Sequence, residues 1–82
     1  MKYIIFDQIG GAFDVPIIFH KFLQHVDIAN KFDGVDNVVS AGFLHLPDEL
    51  NPDAACYGEG RSLGKKSREK EDSELINRVI KF

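Results

Sequence analysis

Residues 2–19 read KYIIFDQIGGAFDVPIIF, two runs of β-branched and aromatic residues on either side of a glycine pair. Runs of this composition favour strands, and consecutive apolar side chains indicate a strand that is buried on both faces. The pair at 10–11 is typical of a turn, because glycine adopts positive φ at no steric cost. The sequence therefore predicts strands over 2–6 and 15–19 that pair as a hairpin, joined by a loop. Pro16 has no N–H to donate, so it is expected at a strand start or on a sheet edge.

A second hairpin is predicted in the middle of the chain. The segment DNVVSAGFLHL, residues 36–46, is the longest strand candidate, and its apolar side chains on both faces indicate a central strand. Gly42 within it indicates a bulge or a close approach of another backbone segment. The run AACYG, residues 54–58, predicts a short fourth strand. We expect 38–46 to pair with 53–57.

Two segments have the periodicity of amphipathic helices. Apolar spacing in the first predicts a short helix over residues 23–31 that ends near Gly34, where positive φ is available. Its expected apolar face consists of Phe22, Leu23, Val26 and Ala29. The second is a C-terminal helix, with Ser67 as the predicted N-cap and Asp72 near its positive end, or with Asp72 or Ser73 as the cap of a shorter helix. Its apolar stripe consists of Leu75, Ile76, Val79 and Ile80.

The order of predicted elements, ββαββα, defines an α+β fold. We expect a single domain over residues 1–82, with a four-stranded antiparallel sheet made of two hairpins and the C-terminal helix packed on one face. In this arrangement the hairpins and the helix share one apolar interior. A chain of 82 residues buries only about 60–65% of its unfolded surface, so a dimer would be a natural way to bury more.

Composition excludes several classes of protein. The chain is 44% apolar and 28% charged, which is typical of a globular domain and not of a disordered one. Cys56 is the single cysteine, so neither an internal disulfide nor a zinc site built on paired cysteines is possible, and its apolar strand predicts a buried, inert thiol. No apolar run approaches the length of a membrane span, and the N-terminal run is too short for a signal peptide. The expected compartment is the cytoplasm, without a membrane partner.

No catalytic or metal-binding motif is evident. His20 and His25 are five residues apart, which does not place two ligands on one helical face. The segment Gly64–Ser67 has the look of a phosphate-binding loop, but such a loop requires a glycine where Glu59 stands and a hydroxyl at the position of Lys66. The sequence therefore predicts no enzyme activity, no metal, no cofactor and no catalytic residue.

The most uneven charge lies in residues 61–70. This segment holds five cations and the single acid Glu69, a local charge of +4, so with a net charge of −3 the rest of the chain carries −7. Exposed amides at a helix N-terminus beside cations would form an anion or nucleic-acid site. The residues of this site would be Arg61, Lys65, Lys66, Ser67 and Arg68. Alternatively, the cations only solvate a loop and pair with the acids of the following helix.

Several segments together resemble a known group of sequences. KYIIFD, VVSAGF, CYGEG with the SLG and KS that follow it, and EDSELINRVI resemble a set of short hypothetical proteins of phages, prophages and mobile gene cassettes, most clearly over residues 54–80. The resemblance implies no activity, but it implies a small accessory protein encoded on mobile DNA. We therefore expect a non-catalytic interaction module that forms a homodimer or binds another protein through an edge strand or an exposed aromatic face. Anion or nucleic-acid binding by residues 61–70 is the alternative.

Overall fold

The computed structural model describes residues 1–32 and 34–80. The elements are β1 (Lys2–Ile9), β2 (Ala12–Phe19), α1 (His25–Lys31), β3 (Val38–His45), β4 (Ala55–Tyr57), β5 (Glu59–Gly60), β6 (Lys65–Lys66) and α2 (Glu69–Ile80), with 3₁₀ turns at Val35–Asn37 and Arg61–Leu63. Strands β1 to β4 form an antiparallel sheet in the order β2-β1-β3-β4, and β5 pairs with β6. The α+β class, the four-stranded antiparallel sheet and both hairpins are confirmed.

The first hairpin is tighter than its sequence indicates. Ile9 pairs with Ala12, so only Gly10 and Gly11 form the turn, with φ of 56° and 89°. Positive φ at both central positions matches the right-handed twist of the flanking strands, which lets both strands continue to the turn. Each strand is therefore three residues longer than predicted. Pro16 lies in β2, which is an edge strand, as expected.

The helix α1 covers one face of the sheet, here called the α1 face. It buries His25, Ile28 and Ala29 against β1 and β3. The predicted apolar face of this helix is confirmed at Ala29 but wrong at Phe22 and Leu23, which precede the helix and are exposed. The ring of Phe22 packs on that of His20 instead, with a centroid distance of 4.6 Å.

The helix α2 covers the opposite face, here called the α2 face. Ile76 packs there with Tyr3, Ile5 and Leu44, whereas the predicted stripe residues Val79 and Ile80 remain partly exposed. The expectation of a single shared interior is wrong, since the structure has one apolar cluster on each face. Strands β1 and β3 carry apolar side chains on both faces, so each face requires its own cover.

Other parts of the chain cover the edge of β3 beyond the end of β4 and the outer edge of β4 itself. Strand β4 is short, and the hairpin formed by β5 and β6 lies against β3 beyond its end. A Cβ atom at Gly42 would lie 2.5 Å from the Tyr57 carbonyl oxygen, so the close approach predicted for this glycine is confirmed. On the outer side of β4, the Cys56 N–H donates to Ser73 Oγ of α2 at 2.8 Å.

The length and the polarity of the two helices can be compared with those of a membrane-spanning helix. Within residues 1–32 and 34–80, neither helix has the length and apolar character required to cross a bilayer.

Candidate functional site

The basic segment is folded around the edge of β3. Gly60 lies on the α1 face, where an added Cβ atom would be 2.8 Å from Ala41 Cβ and 3.0 Å from the His25 ring. Ser67 lies on the α2 face, where its N–H donates to the Gly58 carbonyl oxygen at 2.9 Å. Gly64 makes the turn between β5 and β6 with a left-handed φ of 66°. The segment therefore distributes its side chains over both faces.

An internal carboxylate occupies the beginning of α2. Asp72 is fully buried, and its carboxylate accepts from the Arg68 N–H at 3.0 Å and from the Arg68 guanidinium at 3.0–3.1 Å. Tyr3 Oη lies 2.6 Å from both this carboxylate and Ser67 Oγ. Because an ionised carboxylate can only accept, Tyr3 donates its proton to Asp72 and accepts from the Ser67 hydroxyl. The pKa of Tyr3 is raised well above its usual value. Burial is the largest cause, and the hydrogen bond to the Asp72 carboxylate is the next.

The five predicted anion-binding residues do not converge on one point. Ser67 and Arg68 contact Tyr3 and Asp72, and Ser67 lies two residues before the first residue of α2, so it is not the N-cap. Arg61 is 90% exposed and its Nε lies 3.3 Å from Glu59 Oε1. Lys65 and Lys66 lie on β6. Arg61, Lys65 and Lys66 therefore lie outside the group of hydrogen bonds around Asp72. Anion or nucleic-acid binding by residues 61–70 stays a prediction.

A pair of stacked rings marks the α1 face. In the sheet, Phe43 pairs with Lys2 of β1 on one side and with Tyr57 of β4 on the other. The ring centroids of Phe43 and Tyr57 lie 5.7 Å apart with an interplanar angle of 24°, and Lys2 Nζ lies 6.0 Å from the Phe43 centroid. This aromatic pair, Phe43 and Tyr57, was not anticipated because its members lie far apart in the sequence. The predicted pairing of 38–46 with 53–57 is the signal that could have revealed it.

A first cleft of about 450 Å³ lies on one side of the aromatic pair. The rings of His25 and Phe43 line it together with the side chains of Lys2, Gln24, Glu59 and Arg61. His25 Nε2 lies 2.8 Å from the Gly42 carbonyl oxygen, which can only accept, so this nitrogen carries a proton. Burial lowers the pKa of His25, and the neutral ring is therefore favoured.

A second cleft of about 480 Å³ lies on the other side of the pair. It is lined by Tyr57 and by residues of β3, β4 and the loop between them, namely His45, Pro52, Asp53 and Ala55. In this loop the Asp48 carboxylate accepts from the N–H groups of Leu50 and Asn51 at 2.9 and 2.7 Å. These bonds fix the turn, and Leu50 stands at its tip with its side chain 90% exposed.

The single cysteine of the chain is separated from His25. Cys56 belongs to the cluster on the α2 face, whereas His25 lies on the α1 face. Burial raises the pKa of the Cys56 thiol to about 11, so the thiol is protonated at neutral pH, as expected for an inert cysteine. His45 Nε2 lies 3.8 Å from the Asp48 carboxylate. Among residues 1–32 and 34–80, no three or more His, Cys, Asp or Glu side chains are arranged to hold a metal ion.

These features define a small α+β domain with an aromatic pair between two open clefts. Comparison of the chain with protein-family models, with curated proteins and with solved structures finds no match. The resemblance to proteins of mobile DNA therefore stays a prediction.

Proposed function

We propose that this protein is a non-catalytic interaction module that self-associates through the surface formed by Leu50, Tyr57 and the second cleft. Leu50 carries the proposal. It is the most exposed of the large apolar residues in the part of the chain that the structure describes. The same proposal includes that the protein is encoded on mobile DNA, and only the sequence resemblance supports this part.

Leu50 has the properties of a binding anchor. The two hydrogen bonds to the Asp48 carboxylate, and a third from the Asp48 N–H to the Asn51 carbonyl oxygen at 2.8 Å, hold the loop in one shape. An anchor that is already held in place loses little conformational entropy on binding, so most of its burial contributes to affinity.

The anchor and a cleft that could receive it lie side by side. Asn51 and Pro52 directly follow Leu50 and line the second cleft. In a two-fold symmetric dimer a residue of one copy contacts the same surface of the other, so Leu50 of each copy would enter the second cleft of its partner. Tyr57 at the wall of this cleft is 48% exposed and would gain cover.

The sheet edges are less suitable for association. The β4 edge is bonded to α2. On the β2 edge, Pro16 has no N–H, and Asp14 has a left-handed φ of 49° at a position where the β1–β2 pairing is interrupted. Proline and local distortion both disfavour the addition of another strand. Of the two contact surfaces expected from the sequence, the aromatic face is therefore the one that we propose.

Sedimentation velocity over a range of concentrations tests the proposal. We expect a reversible dimer for the parent chain. Leu50→Ser should weaken it by about a hundredfold or more, since two leucines per dimer lose their burial at about 1.5–3 kcal/mol each. Phe13→Ser is the matched control, because Phe13 is 70% exposed but lies on β2. A parent chain that remains monomeric at about 1 mM would refute self-association, and dissociation by Phe13→Ser instead of Leu50→Ser would refute the proposed surface.

The second candidate function is binding of an anion or nucleic acid by residues 61–70. The observation in its favour is that Arg61 is exposed and that Lys65 and Lys66 lie beside it on the same hairpin. Titration with single- and double-stranded DNA at two salt concentrations tests it, because phosphate contacts weaken steeply with salt. Binding that survives the double substitution Lys65→Glu and Lys66→Glu, or that does not weaken with salt, would contradict this function.

A further inference from the structure

We propose that the first cleft binds a small ligand made of a planar ring that carries an anionic group. A nucleoside monophosphate and an aromatic carboxylate share this chemistry. The inference does not depend on self-association, because the aromatic pair separates the first cleft from the second.

The apolar part of the first cleft suits a planar ring. Its volume of about 450 Å³ is in the range of small-molecule sites, which is about 300–1,000 Å³. His25 meets Phe43 edge-to-face at 6.1 Å and 88°, and it meets Phe19 in the same way at 5.4 Å and 82°. A further ring can add to this cluster edge-to-face, which is a favoured arrangement of aromatic groups.

The charges at the first cleft favour an anion. Among the described residues that line it, Lys2 and Arg61 face the single acid Glu59, which leaves an excess of one positive charge in a chain whose net charge is −3. The Glu59 carboxylate lies 3.3 Å from Arg61 Nε, so these two charges offset each other and Lys2 supplies the excess. Lys2 Nζ donates one hydrogen bond to the Leu23 carbonyl oxygen at 2.9 Å, and two of its three donors remain.

Neutral donors stand beside these cations. Ser62 Oγ accepts from the Val26 N–H at 3.0 Å, so its own proton is available to a ligand. The same bond ties the turn that carries Arg61 to the start of α1. Gln24, which precedes α1, adds a side-chain amide to the lining.

The wall of the first cleft is formed before any ligand arrives. A Cβ atom at Gly58 would lie 3.0 Å from the Phe43 ring, and Gly58 has a positive φ of 75°. A Cβ atom at Gly60 would lie 3.0 Å from the His25 ring. Both glycines let the backbone rest directly on the aromatic floor, so binding requires little reordering.

The test is a titration of the ¹⁵N-labelled full chain, followed by amide chemical shifts. The probes are adenosine monophosphate with neutral adenosine, and benzoate with neutral benzamide. We expect shifts around residues 58–62 and at Gln24, and at least one anion that binds about fivefold or more tightly than its neutral counterpart. The pair that shows the larger difference identifies the source of the ligand.

Two arginine variants locate the binding. Arg61→Gln should weaken binding of the anion by about fivefold, whereas Arg78→Gln, an exposed arginine on α2 across the sheet, should leave it unchanged. Arg61 is exposed, so its substitution leaves the fold intact. The proposal is overturned by an absence of shifts at about 10 mM of either anion, by equal losses in the two variants, or by inorganic phosphate that binds as tightly as both ring-bearing anions.

Discussion

Asp72 shows how one buried charge can fix the beginning of a helix. The sequence places it near the positive end of α2, and the structure adds that it is fully buried and bonded to Tyr3, which lies 69 residues away. Burial of this kind could not be predicted from the sequence, because it depends on a strand at the other end of the chain. The anion expected at this helix N-terminus is thus supplied by the protein itself.

Substitution of Asp72 by alanine should be severe. Asp72→Ala leaves the Tyr3 hydroxyl and the Arg68 guanidinium without their buried acceptor, so we expect a loss of about 3 kcal/mol or more in the free energy of unfolding. Glu71→Ala is the control, because the Glu71 carboxylate lies 3.4 Å from the same guanidinium but is 71% exposed, and its loss should cost less than about 1 kcal/mol. Urea unfolding measures both. Equal losses would show that Asp72 is not the central acceptor.

His25 makes stability depend on pH. Burial lowers its pKa in the folded state, and in the unfolded chain its pKa returns to about 6.5. Below that value the unfolded state binds a proton that the folded state does not, so stability is full above about pH 6.5 and falls as the pH drops toward the folded pKa. We expect the free energy of unfolding to fall over the pH interval that begins at about 6.5 and extends down toward the lowered pKa of the folded state.

A non-titrating variant isolates this effect. His25→Gln keeps an N–H donor for the Gly42 carbonyl oxygen, and its free energy of unfolding should change less over the same pH interval. If urea unfolding gives the parent chain and His25→Gln the same pH dependence, the titrating group is not His25.

At the scale of elements, α2 acts as the cover of a strand edge. Asn77 Oδ1 accepts from the Ala54 N–H at 2.7 Å, and Asn77 Nδ2 donates to the Ala54 carbonyl oxygen at 2.9 Å. This side-chain amide bonds to Ala54 as a neighbouring strand would. Ser73, one helical turn earlier, accepts from the Cys56 N–H at 2.8 Å.

Loss of the Asn77 amide should open this edge. Asn77→Leu removes both bonds to Ala54, and we expect a destabilisation of about 1–3 kcal/mol. Because an open edge can pair with another chain, the variant should also aggregate more readily on mild heating. Arg78→Leu introduces the same side chain at the next, exposed position and should do neither. Light scattering together with urea unfolding provides the measurement, and indistinguishable behaviour of the two variants would contradict this role for Asn77.

An element could be predicted from the sequence when the residues that define it are close together along the chain. Strands β1 to β4 were recoverable because their composition is local. The helical face of α1 was not, since Phe22 and Leu23 have the right spacing but lie before the first residue of the helix. The clefts were not predicted either, because they require Phe43 and Tyr57 to meet across the sheet and the segment after Tyr57 to fold over the edge of β3.

At the scale of the whole molecule, the sheet separates two apolar clusters. Ile28 on α1 belongs to one and Ile76 on α2 to the other, and β1 and β3 lie between them. A chain this short cannot fill one large core, yet it can cover each face of a single sheet with one helix. Among residues 1–32 and 34–80, the two clusters share no side chain.

This separation predicts that core substitutions on opposite faces are additive. Ile28→Val and Ile76→Val should each cost about 1 kcal/mol in the free energy of unfolding, and the double variant should cost their sum to within about 0.5 kcal/mol, because sites without shared partners do not couple. Ile28→Val combined with Phe6→Leu is the matched comparison, since both residues belong to the cluster on the α1 face, and these two should deviate from additivity. Urea unfolding of the single and double variants measures both cycles. A coupling between Ile28 and Ile76 as large as that between Ile28 and Phe6 would mean that the two faces pack as one core, as the sequence alone had indicated.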